Sequence, residues 1–208
     1  MLLDGADVHE ADPRALAKSI AILPQNPTAP EGLTVRELVS YGRAPYKTSF
    51  FSRTTAKDRE MIDWALTETN MMEFQHRPIG AMSGGQRQRA WIAMAIAQDT
   101  EILFLDEPTS FLDVAHQMEV LRLVQHLNEA YGKTIVMVLH ELNQAARFAH
   151  CLVGMCRGQL LYCGTPEEVF HKEMLHRVFH IDAELMSDPR TGKPMCIPYC
   201  VNESEHSA

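Results

Sequence analysis

Residues 82–113, MSGGQRQRAWIAMAIAQDTEILFLDEPTSFLD, constrain the fold more than any other stretch of the chain. A Ser83-Gly84-Gly85-Gln86 turn opens a helical run, Gln86–Gln98, with Ala90, Met94 and Ala97 on one stripe. A short, continuously apolar segment follows, Ile102–Leu105, and reads as a buried strand. It ends in two carboxylates, Asp106 and Glu107. In α/β proteins ligands bind outside the carboxyl ends of the strands. The acidic pair therefore predicts a ligand edge, and the helix leading into a buried strand predicts an α/β core.

The rest of the chain repeats that alternation. Met1–Val8 reads as a short strand and a turn at Gly5. Asp12-Pro13 is a helix start, with Asp as cap and Pro at the first helical position. Ile20–Leu23 is a short strand, and Gln25–Gly32 is a proline-bearing loop. Thr34 caps a helix over Val35–Tyr41, with Glu37 at capping-box spacing. Gly42–Ser52 is an aromatic and basic loop, Ala56–Thr67 an amphipathic helix and Met71–Phe74 a short helical piece. Val114–Tyr131 is a long helix ended by Gly132. Thr134–Leu139 reads as a second buried strand.

Leu142–Ala149 is helical, and Cys151–Cys156 with Gln159–Cys163 form a hairpin turned at Arg157-Gly158. Thr165-Pro166 starts a further helix. Beyond about Asp182 the pattern weakens to a turn at Pro189–Gly192 and a frayed tail, Asn202–Ala208. Strands alternating with helices predict a parallel sheet. The strand-free segment from about 34 to 99 predicts a helical subdomain inserted into a core of residues 1–33 and about 100–181, with a tail over about 182–208.

A chain of 208 residues suits one domain, or one domain and a small appendage. The net charge of -8 argues against a general nucleic-acid binder, which needs a basic face. No apolar run is long enough to cross a bilayer, and the acidic start lacks the order of a secretory signal. Five cysteines without such a signal point to reduced thiols. Cys196-x-x-x-Cys200 lacks a second ligand pair and reads as ordinary thiols rather than a metal site.

Each chemical feature has a plain structural counterpart. Ser83-Gly84-Gly85 alone is a loop and a helix cap. Before a strong helix, two glycines also let backbone approach a phosphate. An apolar strand ending in acids can merely cap the next turn. It can also offer Asp106 to Mg²⁺ and Glu107 as the base that polarises water. His140 after Thr134–Leu139, and Gln25 after Leu23-Pro24, are ordinary surface residues when taken singly. The other nine histidines read as surface or packing residues. A G-x-x-x-x-G-K-[ST] phosphate loop does not occur in the 208 residues. Thr191-Gly192-Lys193-Pro194 fails as one, because Pro194 forbids the helix it needs.

Taken together and in order, Gln25, Ser83-Gly84-Gly85-Gln86, the Ile102–Asp106 strand with Glu107, Ser110–Asp113 and His140 resemble the nucleotide-binding ATPase subunit of ABC transporters. The likeness runs over about residues 1–180. Met82 stands where the family has Leu, and Phe111 where it has a small residue. Within the family, Arg89–Met94, Val114-Ala115-His116-Gln117, Ala29–Val35 and Tyr41-Gly42-Arg43 are similar to importers of ferric siderophores, ferric citrate, haem or cobalamin.

The resemblance implies a P-loop NTPase-like, RecA-type parallel core with an inserted helical subdomain. It implies ATP and Mg²⁺ as ligands. Asp106 and Gln25 would serve Mg²⁺, Glu107 would be the general base and His140 would hold the γ-phosphate. Ser83, Gly84, Gly85, Gln86 and Asp113 would act across an interface with a second ATPase subunit. Two integral membrane permeases and, indirectly, a periplasmic or lipoprotein substrate-binding protein are the implied partners, at the cytoplasmic face of the plasma membrane. It also implies an N-terminal truncation that removes two strands and the phosphate loop, leaving the 208 residues with little or no turnover alone. An apolar sheet edge beside Thr134–Leu139 would then be exposed. Two other readings stand beside it: a non-catalytic partner donating Ser83–Gly85 and Asp113 in trans, and an ABC protein outside transport.

Overall fold

Three short apolar segments far apart in the chain meet as parallel strands, and their register decides which side chains can share a site. The computed structural model describes residues 2–47 and 53–201. It divides into two units, residues 1–138 and 139–208. Residues 48–52 of the expected Gly42–Ser52 loop and the expected tail Asn202–Ala208 lie outside the described residues.

The first unit opens with a small hairpin, β1 (Leu2–Leu3) and β2 (Ala6–Asp7), two strands where the sequence suggests one. Helix α1 (Pro13–Ser19) starts as expected, with the Asp12 carboxylate accepting the Ala15 N–H at 2.9 Å. β3 (Ile20–Leu23) follows directly. Helices α2 (Val35–Tyr41) and α3 (Ala56–Glu68) both begin in capping boxes, Thr34 with Glu37 and Thr55 with Asp58. Next come α4 (Gly84–Ala97), β4 (Ile102–Asp106), α5 (Val114–Tyr131) and β5 (Thr134–Val138).

The sheet order is β3-β4-β5, all parallel, as the alternation of strands and helices predicts. Its Ala21, Leu23, Leu103 and Leu105 face joins a single core with α2, α3, α4 and α5. At the end of α2 a Cβ on Gly42 would sit 2.2 Å from the Met94 carbonyl oxygen, so glycine is what lets α2 and α4 touch. Just past the end of α4, the Gln98 amide donates to the carbonyls of Ala17 at 2.6 Å and Ile20 at 2.9 Å, fixing α4 to the start of β3.

The other sheet face departs from expectation. Ile22, Phe104 and Val136 stand side by side in the register, with Ile22 66% and Val136 46% exposed. Thr134–Val138 is therefore not the buried strand its composition suggests. A continuous apolar run signals two covered faces. Here the core covers one face, and β5 lies at the edge of the described sheet.

The second unit is built separately. It contains α6 (Leu142–Phe148) and the hairpin β6 (Leu152–Cys156) and β7 (Gln159–Gly164). The hairpin turns at Arg157-Gly158, both left-handed, the geometry of a two-residue type I′ turn. α7 (Pro166–Val169) and α8 (Lys172–Phe179) follow. The weak pattern after Asp182 conceals a second antiparallel hairpin, β8 (Ile181–Ser187) and β9 (Pro194–Val201). Pro194 and Pro198 mask β9 in the sequence, because proline is depleted in strands and confined to their starts and edges. Asn143 of α6 grips β9 by both backbone groups of Cys196, donating at 3.0 Å and accepting at 2.8 Å.

Candidate functional site

In a parallel ladder, residues at equal distance beyond a paired position emerge side by side. Leu23 pairs with Leu105, so Gln25 and Glu107 leave the sheet at the same level. The Gln25 amide nitrogen accordingly donates to the Glu107 carboxylate across 82 residues of chain. The Ser110 hydroxyl donates to the same carboxylate oxygen at 2.8 Å. Glu107 is thus oriented from two sides, by a strand-end amide and by a turn hydroxyl. Asp106, the last residue of β4, is exposed beside it.

The turn that carries these groups is held in an uncommon backbone conformation. Glu107 and Phe111 both have positive φ, 48° and 62°. Non-glycine residues there cost on the order of 1–3 kcal/mol each, and such strain gathers at functional turns. The Phe111 ring is 88% exposed, so burial of the side chain does not offset this cost.

The Ser-Gly-Gly-Gln run is a capping box rather than a loop before the helix. Ser83 accepts the Gln86 N–H at 3.3 Å, and the Gln86 side chain accepts the Ser83 N–H at 3.0 Å. α4 therefore begins two residues earlier than Gln86, at Gly84. Gly85 is buried, while Ser83 and Gly84 are exposed.

One residue left to surface or packing by the sequence proves to be an organiser. A Cβ on Gly85 would lie 2.3 Å from His116 Cδ2, so the ring rests on the glycine. The same ring donates from Nδ1 to Asp113 at 2.8 Å, and the His116 backbone N–H donates to the other Asp113 oxygen at 3.0 Å. These bonds, the backbone one first and then the ring, hold the Asp113 carboxyl below its usual range. Asp113 caps α5, and His116 joins that cap to the start of α4. The signal in the sequence was an Asp cap with a side chain capable of hydrogen bonding three residues on, the spacing of a capping box. Arg89 and Glu119 tie the same two helices further along at 2.9 Å.

This contact has a testable consequence. Gly85→Ala drives a methyl into a ring pinned by Asp113 and should cost about 1–3 kcal/mol. His116→Ala in the same chain should recover most of that loss. Chemical denaturation of the two single variants and the double variant measures the coupling, and simple additivity would contradict the contact.

The structure thus brings Gln25 and Glu107 together, and links Gly85 to Asp113 through His116. His140 is exposed two residues after β5 and is described with the second unit. Gln25, Asp106, Glu107 and Ser110 offer hard oxygen donors, the kind Mg²⁺ selects. Since the Gln25 nitrogen is engaged by Glu107, its amide oxygen is the end suited to a cation. The residues present therefore fit a Mg²⁺ site. Among the described residues no helix is long and apolar enough to cross a membrane.

Comparison with known proteins identifies the family. The family model "ABC transporter" matches residues 1–110. The iron(3+)-hydroxamate import ATP-binding protein FhuC of Bacillus subtilis (strain 168) is 53% identical over 203 residues, covering 98% of this chain and 75% of that protein. The petrobactin import ATP-binding protein FpuD of Bacillus anthracis is 49% identical over 199 residues, covering 96% and 72%. Among solved structures, a metal-chelate-type ABC transporter in an inward-facing conformation superposes with a TM-score of 0.80 at 28% identity, covering 88% of this chain and 73% of that one. A dimeric ATP-binding cassette in a post-hydrolysis state, bound to ADP and Pi, gives a TM-score of 0.64 at 27% identity over 78% and 71%. A parallel core of P-loop NTPase type and these likenesses lead to one conclusion: the chain belongs to the ABC transporter family.

Proposed function

We propose that this chain is the ATP-hydrolysing subunit that energises import of iron-siderophore complexes, with little or no turnover by the 208 residues alone, in which no phosphate loop occurs. The observation that carries the chemistry is the convergence of Gln25, Ser110 and Glu107 at the carboxyl ends of β3 and β4. The cargo class is supported by relatives named for iron(3+)-hydroxamate, petrobactin and achromobactin, at 46–53% identity.

Glu107 accepts a proton from the attacking water, and Gln25 and Ser110 hold its carboxylate in place for that step. Asp106 and the Gln25 oxygen would hold Mg²⁺, which would supply charge neutralisation for phosphoryl transfer. His140 hydrogen-bonds the γ-phosphate of ATP. Ser83, Gly84 and Gly85, with Gln86 setting their cap, and Asp113, held by His116, complete the site of a second subunit. The helical segment of about 34–99 faces two membrane permeases at the cytoplasmic surface, and a substrate-binding protein delivers cargo to the far side.

The assembly purified with its permeases should hydrolyse ATP faster when a siderophore-loaded binding protein is added. Equal rates with loaded and empty binding protein would count against the cargo assignment. A second reading is favoured by the exposure of Ser83, Gly84 and Asp113. In it the chain serves only to complete a partner's site in trans. Glu107→Gln distinguishes the two, since the second reading leaves stimulation of the partner intact.

A further inference from the structure

The open end of the β6–β7 hairpin holds two thiols against each other. Cys163 pairs with Val153 in the antiparallel ladder, and Cys151 lies two residues before Val153. Cys151 stands one residue before β6, which brings it diagonally beside Cys163 at the open end of the hairpin. Their Sγ atoms are 3.9 Å apart, and both side chains are exposed. A disulfide needs sulfurs at about 2.05 Å, an approach of roughly 2 Å. Rotation of the two side chains about χ1 moves the sulfurs by that order.

The other thiols lack this arrangement. Cys196 is buried in the second unit's core, where burial pushes its thiol up. Cys156 pairs across the turn with Gln159, and Cys200 with Asp182. The hydrogen bond with Cys151 pushes the Cys163 thiol up.

We propose that Cys151 and Cys163 form a reversible dithiol–disulfide site that exchanges with small-molecule disulfides. The thiolate of either cysteine can open the exchange; written for Cys151, it attacks one sulfur of oxidised glutathione. A mixed disulfide forms, and one glutathione leaves as thiolate and takes up a proton. The Cys163 thiol then gives its proton to solvent, and its thiolate attacks the Cys151 sulfur. The bridge closes as the second glutathione leaves and is protonated. The two cysteines lose two electrons, and one glutathione disulfide is reduced to two thiols.

The test equilibrates the full chain with graded mixtures of reduced and oxidised glutathione, followed by acid quench, alkylation, intact mass and peptide mapping. The expected result is a loss of about 2 Da, one cross-linked peptide joining Cys151 to Cys163, and full reversal by excess reduced glutathione. Cys163→Ser should stop at the mixed disulfide on Cys151. In the unsubstituted chain, bridges between other thiols, glutathione adducts that persist on Cys151, or no oxidation at all would each overturn the proposal. These outcomes are read on the unsubstituted chain, so they stand even where the Cys163→Ser variant fails to fold.

Discussion

Glu107→Gln is expected to lower the ATP turnover of the importer containing this chain by about 100-fold or more, the lower bound for removing a general base. The fold should be unaffected. Glu107 uses one carboxylate oxygen to accept from both Gln25 and Ser110. A glutamine carbonyl can accept the same two hydrogen bonds but cannot take a proton from water. Melting temperature and nucleotide affinity should therefore stay near those of the unsubstituted protein while the rate of hydrolysis collapses. Parallel measurement of thermal unfolding and turnover checks this. A collapse in stability of the same variant would mean that Glu107 is there for structure.

The largest effect on stability is expected at Asp58. Arg43 and Asp58 are 3% and 4% exposed, and their side chains meet at 3.0 Å. The Arg43 guanidinium also donates to the Ala97 carbonyl at 2.7 Å and stacks 3.9 Å from the centre of the Tyr46 ring. Asp58 in turn accepts the Thr55 N–H at 2.9 Å and the Thr55 hydroxyl at 2.7 Å, closing the cap of α3. Asp58→Ala strands a buried guanidinium and opens the cap, so a loss of about 3–5 kcal/mol is expected. Denaturant titration measures it, and a loss below about 1 kcal/mol would show that water reaches the pair.

The same group gives acid sensitivity. Burial raises the Asp58 carboxyl, but the Thr55 bonds and Arg43 together outweigh it and hold it below its ordinary value. A depressed folded pKa adds stability above the unfolded value, about 3.9 for Asp. That stability is lost as the pH falls through the lower folded value. Asp58→Asn should flatten this part of the acid unfolding curve.

Much of this was legible in the sequence where the cause is local. The box at Thr34 follows from a hydroxyl and an acid three residues apart and sets the start of α2, while the same spacing at Thr55 and Ser83 went unread and α4 begins at Gly84 rather than Gln86. β3 runs over Ile20–Leu23 because an apolar quartet stops at a proline. What depends on distant partners was not legible. β5 reads as buried because its residues are apolar, yet exposure depends on which faces are covered. β8–β9 is hidden by prolines and polar residues that a hairpin tolerates. His116 passes for a surface histidine, because the glycine beneath its ring is 31 residues earlier in the chain.

At the site, the sequence supplied the residues and the register supplied their meeting. Gln25 is a weak signal by itself, and nothing in Leu23-Pro24-Gln25 reveals Glu107 as its neighbour. The pairing of Leu23 with Leu105 does so.

The role of Glu107 in driving import is tested most directly by uptake of a ferric hydroxamate carrying radioactive iron, in cells whose own copy of this chain bears Glu107→Gln. Accumulation is expected to fall to the background of cells lacking the importer, with normal levels of the folded protein. Uptake at the unsubstituted rate would contradict that role.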